Sequence, residues 1–222
     1  KLILENFFFE FVINNQAYVL INRPNYSYDN TNFWKYSPAT NTWTTAKAPD
    51  LTTQYYQESA YAMCSLGNKG YLFTKDNSGS LWEFDATKET WERRRTHLLT
   101  TASSFFSGVF TMDNKLYVVA LNYNIGSIYC YDPANNDWQF KTSFSVTTGS
   151  DRQQFIAYSY QNVGYIINSA EAFRFDPSTN QVRLLSRNRA QPTYGSGSLS
   201  GFSHQQKAFL MTNSLDFWEV TP

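Results

Sequence analysis

The feature that most limits what this chain can fold into is a unit that occurs four times and begins a fifth. It reads FWKYSPATNTW (Phe33–Trp43), LWEFDATKETW (Leu81–Trp91), IYCYDPANNDW (Ile128–Trp138) and AFRFDPSTNQV (Ala172–Val182), with FWEVTP opening again at Phe217. Each copy joins an alternating aromatic strand to a turn, and the turn to a Trp or Val that opens another strand. The alternation sets Trp34 with Tyr36, Trp82 with Phe84, Tyr129 with Tyr131, Phe173 with Phe175 and Trp218 with Val220, so it predicts one buried face per strand. The turn has its own chemistry. Pro38, Pro133 and Pro177 fix φ, and Asp85, Asp132 and Asp176 can accept a backbone N–H two residues on.

A hairpin precedes every copy: FVINNQAYVL, CSLGNKGYLF, FTMDNKLYVV, YSYQNVGYII and FSHQQKAFLM. The two-residue turns are Asn14-Asn15, Gly67-Asn68, Asp113-Asn114, Gln161-Asn162 and Gln205-Gln206, mostly residue types that tolerate φ > 0. The ring after each turn is Tyr18, Tyr71, Tyr117, Tyr165 and Phe209, at spacings of 53, 46, 48 and 44 residues. Four short strands repeating at that period predict the blades of a β-propeller. The expected architecture is all-β, one domain of about five four-stranded blades. The blades fall near residues 6–50, 51–100, 101–145, 146–190, and 191–222 together with 1–5. In that scheme Leu2–Glu5 supplies the outer strand of the fifth blade and closes the ring, which removes a free sheet edge. The competing expectation is a piece of a longer propeller. Composition agrees with strands and turns: 16 Tyr, 18 Phe and 6 Trp in 222 residues, with Asn, Ser and Thr abundant.

The four evenly spaced copies of an aromatic–[DS]-P-x-x-N-x-W-like sequence resemble the kelch repeat. They are similar in particular to the kelch and galactose-oxidase-like surface propellers of bacteria of the Bacteroidetes type. The resemblance covers essentially the whole chain. One departure is plain: where kelch repeats carry a Gly pair after the second strand, this chain has Ile21-Asn22, Thr74-Lys75, Ala120-Leu121, Asn168-Ser169 and Thr212-Asn213. The resemblance implies that partners bind where the loops between strands two and three, and from blade to blade, emerge on one face.

Charge and patterning exclude several classes. Lys+Arg and Asp+Glu both number 18, so no basic surface calls for nucleic acid or an anionic membrane. No apolar run approaches the roughly 20 residues that span a bilayer, which argues against direct membrane insertion. The first ten residues do not read as a signal peptide. His97 and His204 are too few and too separated to make a zinc or copper site, and the two His, two Tyr and Tyr-linked Cys of the kelch copper oxidase cannot be mapped here. No nucleophile signature and no phosphate-binding glycine loop occurs, so no catalytic residue, metal or cofactor is implied. Cys64 and Cys130 are either two apolar thiols or a pair.

Candidate binding residues lie in the loops. Asn22–Asn32, after the second strand of the first blade, carries Arg23, Tyr26 and Tyr28. The blade connections add Tyr55, Tyr56, Glu58, Arg94, Arg95, Phe105, Phe106, Arg152 and Tyr194. Exposed Tyr beside Arg and Asn suits a protein hot spot or a glycan. By column counting Glu58, Ser104, Arg152 and Ser196 ring the channel mouth, where an ordinary solvated rim is the alternative. The first expectation is therefore a non-enzymatic module that presents its loop face to a protein partner within an exported, bacterial cell-surface or periplasmic assembly. A carbohydrate-binding propeller is the second. A sugar mutarotase-like enzyme, with Glu58 as acid or base and Arg152 holding a carboxylate, is the third.

Overall fold

The computed structural model describes residues 7–22, 32–51, 59–75, 80–94, 105–147, 155–168, 171–187, 200–204, 207–211 and 217–220. Every regular element among them is a strand. The chain forms two compact units, Lys1–Ala102 and Ser103–Pro222. In the first unit, one sheet is β1 (Phe7–Ile13), β2 (Gln16–Asn22), β3 (Asn32–Ser37) and β4 (Thr42–Ala46). The next is β5 (Ser59–Leu66), β6 (Lys69–Lys75), β7 (Ser80–Asp85) and β8 (Thr90–Arg94). The second unit holds β9 (Phe105–Met112), β10 (Lys115–Asn122), β11 (Ile125–Asp132) and β12 (Asp137–Ser145). It continues with β13 (Ile156–Tyr160), β14 (Val163–Ile167), β15 (Glu171–Asp176) and β16 (Gln181–Arg187). A last sheet has three strands among the described residues: β17 (Ser200–His204), β18 (Lys207–Met211) and β19 (Phe217–Val220). Each is a meander of antiparallel neighbours, and the fold is a β-propeller. Leu2–Glu5, assigned above to the outer strand of the last blade, lies outside the described residues.

The turns form as their residues dictate. Asn14 and Asn15 (φ 51° and 59°), Asp113 and Asn114 (51° and 56°) and Gln161 and Asn162 (47° and 58°) have φ > 0 at both central positions, the signature of a type I′ turn. In the second blade only Gly67 does (60°), as in a type II′ turn, which favours glycine there. Gln205-Gln206 lies outside the described residues. In the turns between third and fourth strands, Asp85, Asp132 and Asp176 accept the amides of Thr87 (2.9 Å), Ala134 (3.0 Å) and Ser178 (3.1 Å). A left-handed residue closes each of these turns: Asn41, Glu89, Asn136 and Asn180. In two copies the strand tyrosine reaches that residue, Tyr36 Oη donating to Asn41 Oδ1 at 3.0 Å and Tyr131 Oη to Asn136 Oδ1 at 2.8 Å. Its cross-strand partner is the repeat Trp, with ring centroids 4.9 Å apart for Tyr36–Trp43, 5.0 Å for Phe84–Trp91 and 4.7 Å for Tyr131–Trp138.

The single buried face expected for the third strand of each repeat is only half of the arrangement. Phe84, Tyr131, Phe173 and Phe175 are buried as expected, but Trp34, Tyr36, Trp82 and Tyr129 are half-buried. On the opposite face Phe33, Ile128, Cys130 and Ala172 are buried too. The reason is that a blade packs on both faces. In the first unit Phe11, Ile13, Tyr18, Leu20 and Phe33 of the first sheet close on Leu72 and Phe84 of the second. In the second unit Phe110, Met112, Tyr117, Val119, Ile128 and Cys130 close on Ile166, Phe173 and Phe175. Period two therefore assigns a residue to one neighbour or the other, not to core or solvent.

One blade joint in each unit contains a ring seated on a glycine. A Cβ added to Gly70 would lie 2.2 Å from Cζ of Phe11, and one added to Gly164 would lie 2.6 Å from Cζ of Phe110. Phe110 is buried and stacked on Tyr117 at 5.2 Å, so the ring has little room to yield. Gly164→Ala is expected to destabilise the chain by about 1–3 kcal/mol, the usual cost of overpacking. A chemical-denaturation midpoint reads it. The double variant with Phe110→Leu should recover part of the loss, because the two sites share one space.

Candidate functional site

Within an antiparallel meander, the turns joining strands one to two and three to four lie at one end of the blade. The loops joining strands two to three, and the connections to the next blade, lie at the other. At the turn end several charged side chains pair with one another. Lys35 Nζ meets Glu89 Oε1 at 2.7 Å, Lys115 Nζ meets Asp132 Oδ2 at 3.3 Å, and Arg174 meets Asp176 at 3.6 Å. The hydrogen bond from Lys69 (2.8 Å), helped by the amides of Lys88 and Thr87, brings the Asp85 carboxyl down to about 2. The Ser178 hydroxyl and amide hold Asp176 below the ordinary carboxylate range.

Among the sequence-chosen candidates that the structure describes, Phe105 and Phe106 open β9 rather than lying in a connection, and the charged one is Arg94. It is the last residue of β8, not part of a free connection, and it forks onto a buried carboxylate. Its Nε lies 3.1 Å from Glu83 Oε2 and its Nη2 2.8 Å from Glu83 Oε1. Lys69 Nζ reaches the same Oε1 at 3.1 Å. Burial alone would raise the Glu83 carboxyl, but Arg94 and Lys69 outweigh it and hold it below the usual range. This ladder ties β6, β7 and β8 together. Arg23, Tyr26, Tyr28, Tyr55, Tyr56, Glu58, Arg95, Arg152 and Tyr194 lie outside the described residues, as do His97, Ser104 and Ser196. His204 ends β17, opposite Lys207.

The loop end differs from blade to blade. The two-to-three connections run over residues 23–31, 76–79, 123–124, 168–170 and 212–216. In the third blade the connection is only Tyr123-Asn124, closed by the Asn122–Ile125 pair. Tyr123 holds φ at 51° and is 66% exposed; Ile125 is 53% exposed. The turn is anchored from behind: the Val146 amide donates to Asn124 O at 2.9 Å. The next residue, Thr147, gives its amide to Glu171 Oε2 at 2.9 Å and its hydroxyl to Glu171 Oε1. Glu171 is buried, and its own amide donates to Asn168 Oδ1 at 2.6 Å. A network of side chain and backbone thus links the loop ends of two successive blades.

Reading the sequence for loop aromatics passed over Tyr123. The available signal was a two-residue connection between strands with a bulky ring where Gly, Asn or Asp is usual. Little else among the described residues suits chemistry. Neither cysteine forms a disulfide, and burial pushes both thiols up, away from the nucleophilic thiolate. Among the described residues no group of three or more His, Cys, Asp and Glu could hold a metal ion. No helix among them is long and apolar enough to cross a membrane.

No family model and no curated protein matches this sequence. Solved structures do. YCF48 bound to D1 peptide aligns over 99% of this chain and 66% of its own, at 12% identity and a TM-score of 0.53. A puromycin-hydrolyzing peptidase of Mycobacterium tuberculosis aligns over 93% of this chain and 34% of its own, at 14% identity and a TM-score of 0.54. This chain therefore spans just under two thirds of one of these proteins and about a third of the other. With 571 solved chains matching and identities this low, the likeness establishes the fold and leaves function to the site.

Proposed function

We propose that this chain is a non-enzymatic binding module, a kelch-like propeller that holds a protein partner at its loop end. The observation that carries the reading is the contrast between the two ends of the blades. Turn chemistry is repeated and internally satisfied, whereas the two-to-three connections vary from the two residues 123–124 to the longer span 23–31 on the same scaffold. Variable loops on a rigid repeated frame are how many folds present recognition surfaces. The structural likeness to YCF48, a protein solved with a bound peptide, is consistent with such a use. The abundance of Tyr, Asn, Ser and Thr fits an exported protein and a place in a larger surface assembly.

Selection of a phage-displayed random peptide library on the immobilised chain tests this, run beside a glycan array. Enrichment of a peptide consensus is the expected result. The enriched peptides should bind less well to the Tyr26→Ala/Tyr28→Ala variant, whose stability should stay within about 0.5 kcal/mol of the parent. Selective sugar binding with no peptide enriched would replace the protein-binding reading with a carbohydrate one.

A further inference from the structure

We propose that the Tyr123-Asn124 turn of the third blade is itself a binding knuckle, and that its ligand is an uncharged peptide segment carrying apolar side chains. The inference rests on the protein-binding reading above and names the surface and the partner class.

Three observations carry it. The first is strain. A bulky residue at φ 51° is an outlier, whereas the β5–β6 hairpin of this same chain meets a first-position φ of 60° with Gly67. Glycine or asparagine at 123 would adopt this backbone more readily, and residues held in such conformations cluster at binding sites. The second is exposure. Tyr123 and Ile125 present a ring and an aliphatic side chain to solvent, 66% and 53% exposed, at the loop end. The turn does not drift, because Asn124 O accepts the Val146 amide and Thr147 is fixed by Glu171. An exposed, positioned Tyr loses little side-chain freedom on binding and offers a large amphipathic contact.

The third observation concerns charge. Residues 116–131, LYVVALNYNIGSIYCY, contain no Asp, Glu, Lys or Arg. Among the described residues of this blade Asp113, Lys115, Asp132 and Asp137 flank the turns at the opposite end and Lys141 lies within β12, while the Glu171 carboxylate of the next blade is buried and taken up by Thr147. A partner that set a charged side chain on the Tyr123 turn would give up water and find no counter-charge in this segment. Neighbouring Asn124 and Ser145, both exposed, provide amide and hydroxyl groups able to pair with a peptide backbone.

The test uses the full chain and a phage-displayed random dodecapeptide library, with Tyr123→Gly and Tyr123→Asn beside the parent. Both variants relieve the backbone and delete the ring. The expected result is a divergence of two readouts: the melting temperature rises by about 2 °C, while peptides selected on the parent bind about thirtyfold more weakly or worse, as for a hot-spot Tyr. Their consensus should be apolar and their affinity insensitive to salt. If no peptide is enriched on the parent, the protein-binding reading fails and this site with it. If enriched peptides bind the variants as well as the parent, the Tyr123 site is refuted and the broader reading stands. A charged consensus with salt-dependent affinity overturns the partner class. If both variants melt lower than the parent, the ring is a packing element and the proposal is wrong.

Discussion

Phe84→Ala should lower the unfolding free energy of the chain by about 4 kcal/mol, within the range for truncating a buried aromatic. Phe84 is fully buried, and its ring centroid lies 5.1 Å from Tyr18, 5.2 Å from Phe33, 5.0 Å from Trp91 and 6.1 Å from Phe11. Four rings from two blades therefore lose one shared neighbour. Collapse around the gap is limited, because the remaining rings already pack on one another, Tyr18 stacking on Phe33 at 5.5 Å and Phe11 lying 5.4 Å from Tyr18. Phe84→Leu, which keeps most of the volume, should cost under about 1.5 kcal/mol. Phe140→Ala is the comparison, since Phe140 is 60% exposed and should change stability by about 0.5 kcal/mol or less. Urea unfolding of the three variants gives the order. If Phe84→Ala cost no more than Phe140→Ala, the joint between the first two blades would not be where the first unit gains its stability.

The second large effect is electrostatic. Glu83→Gln should cost about 3 kcal/mol at neutral pH, the lower part of the range for breaking a buried ion pair. Arg94 and Lys69 remain partly open to water and so are not wholly stranded. The size of the effect should depend on pH. Because the folded Glu83 carboxyl lies below its ordinary value of 4.5, the unfolded chain takes up the proton first as pH falls. The stabilisation is therefore complete above about 4.5 and is lost as pH drops through the folded value. Asp85, brought down to about 2, acts in the same direction over the same acid range, but in parent and variant alike. The gap between parent and Glu83→Gln should accordingly narrow on acidification, read from melting temperatures in a pH series. A gap of constant size would mean that the Glu83 charge is not what holds β6, β7 and β8 together.

What could be read from the sequence was what is local. The aspartate-capped turns, the φ > 0 hairpins and the blade period depend on residues a few positions apart, and Asp85, Asp132 and Asp176 do what their spacing from the next strand implies. The Glu83–Arg94 pair was hidden because it crosses from β7 to β8. Without the register, Arg94 reads as a free loop cation beside Arg95. The two-faced burial was hidden for a related reason: Phe33 and Trp34 are equally aromatic, and only the neighbouring blade decides which is enclosed. Tyr123 was missed because attention to long loops favours Asn22–Asn32, whereas the informative departure is a short turn holding the wrong kind of residue.

The glycine seats at the blade joints bear on how near-identical units find their proper neighbours. The residue before the hairpin tyrosine is Gly70 in the second blade and Gly164 in the fourth, but Leu116 in the third. Leu116 is fully buried at the position where Gly70 and Gly164 admit a phenylalanine ring, and the first and fifth blades have Ala17 and Ala208 there. Phe11 or Phe110 set against Leu116 would collide with a side chain. A chain of look-alike repeats is at risk of assembling in the wrong order, and a seat that accepts a ring on one blade and rejects it on another acts as an address label that keeps the sequence of blades in line with the sequence of the chain.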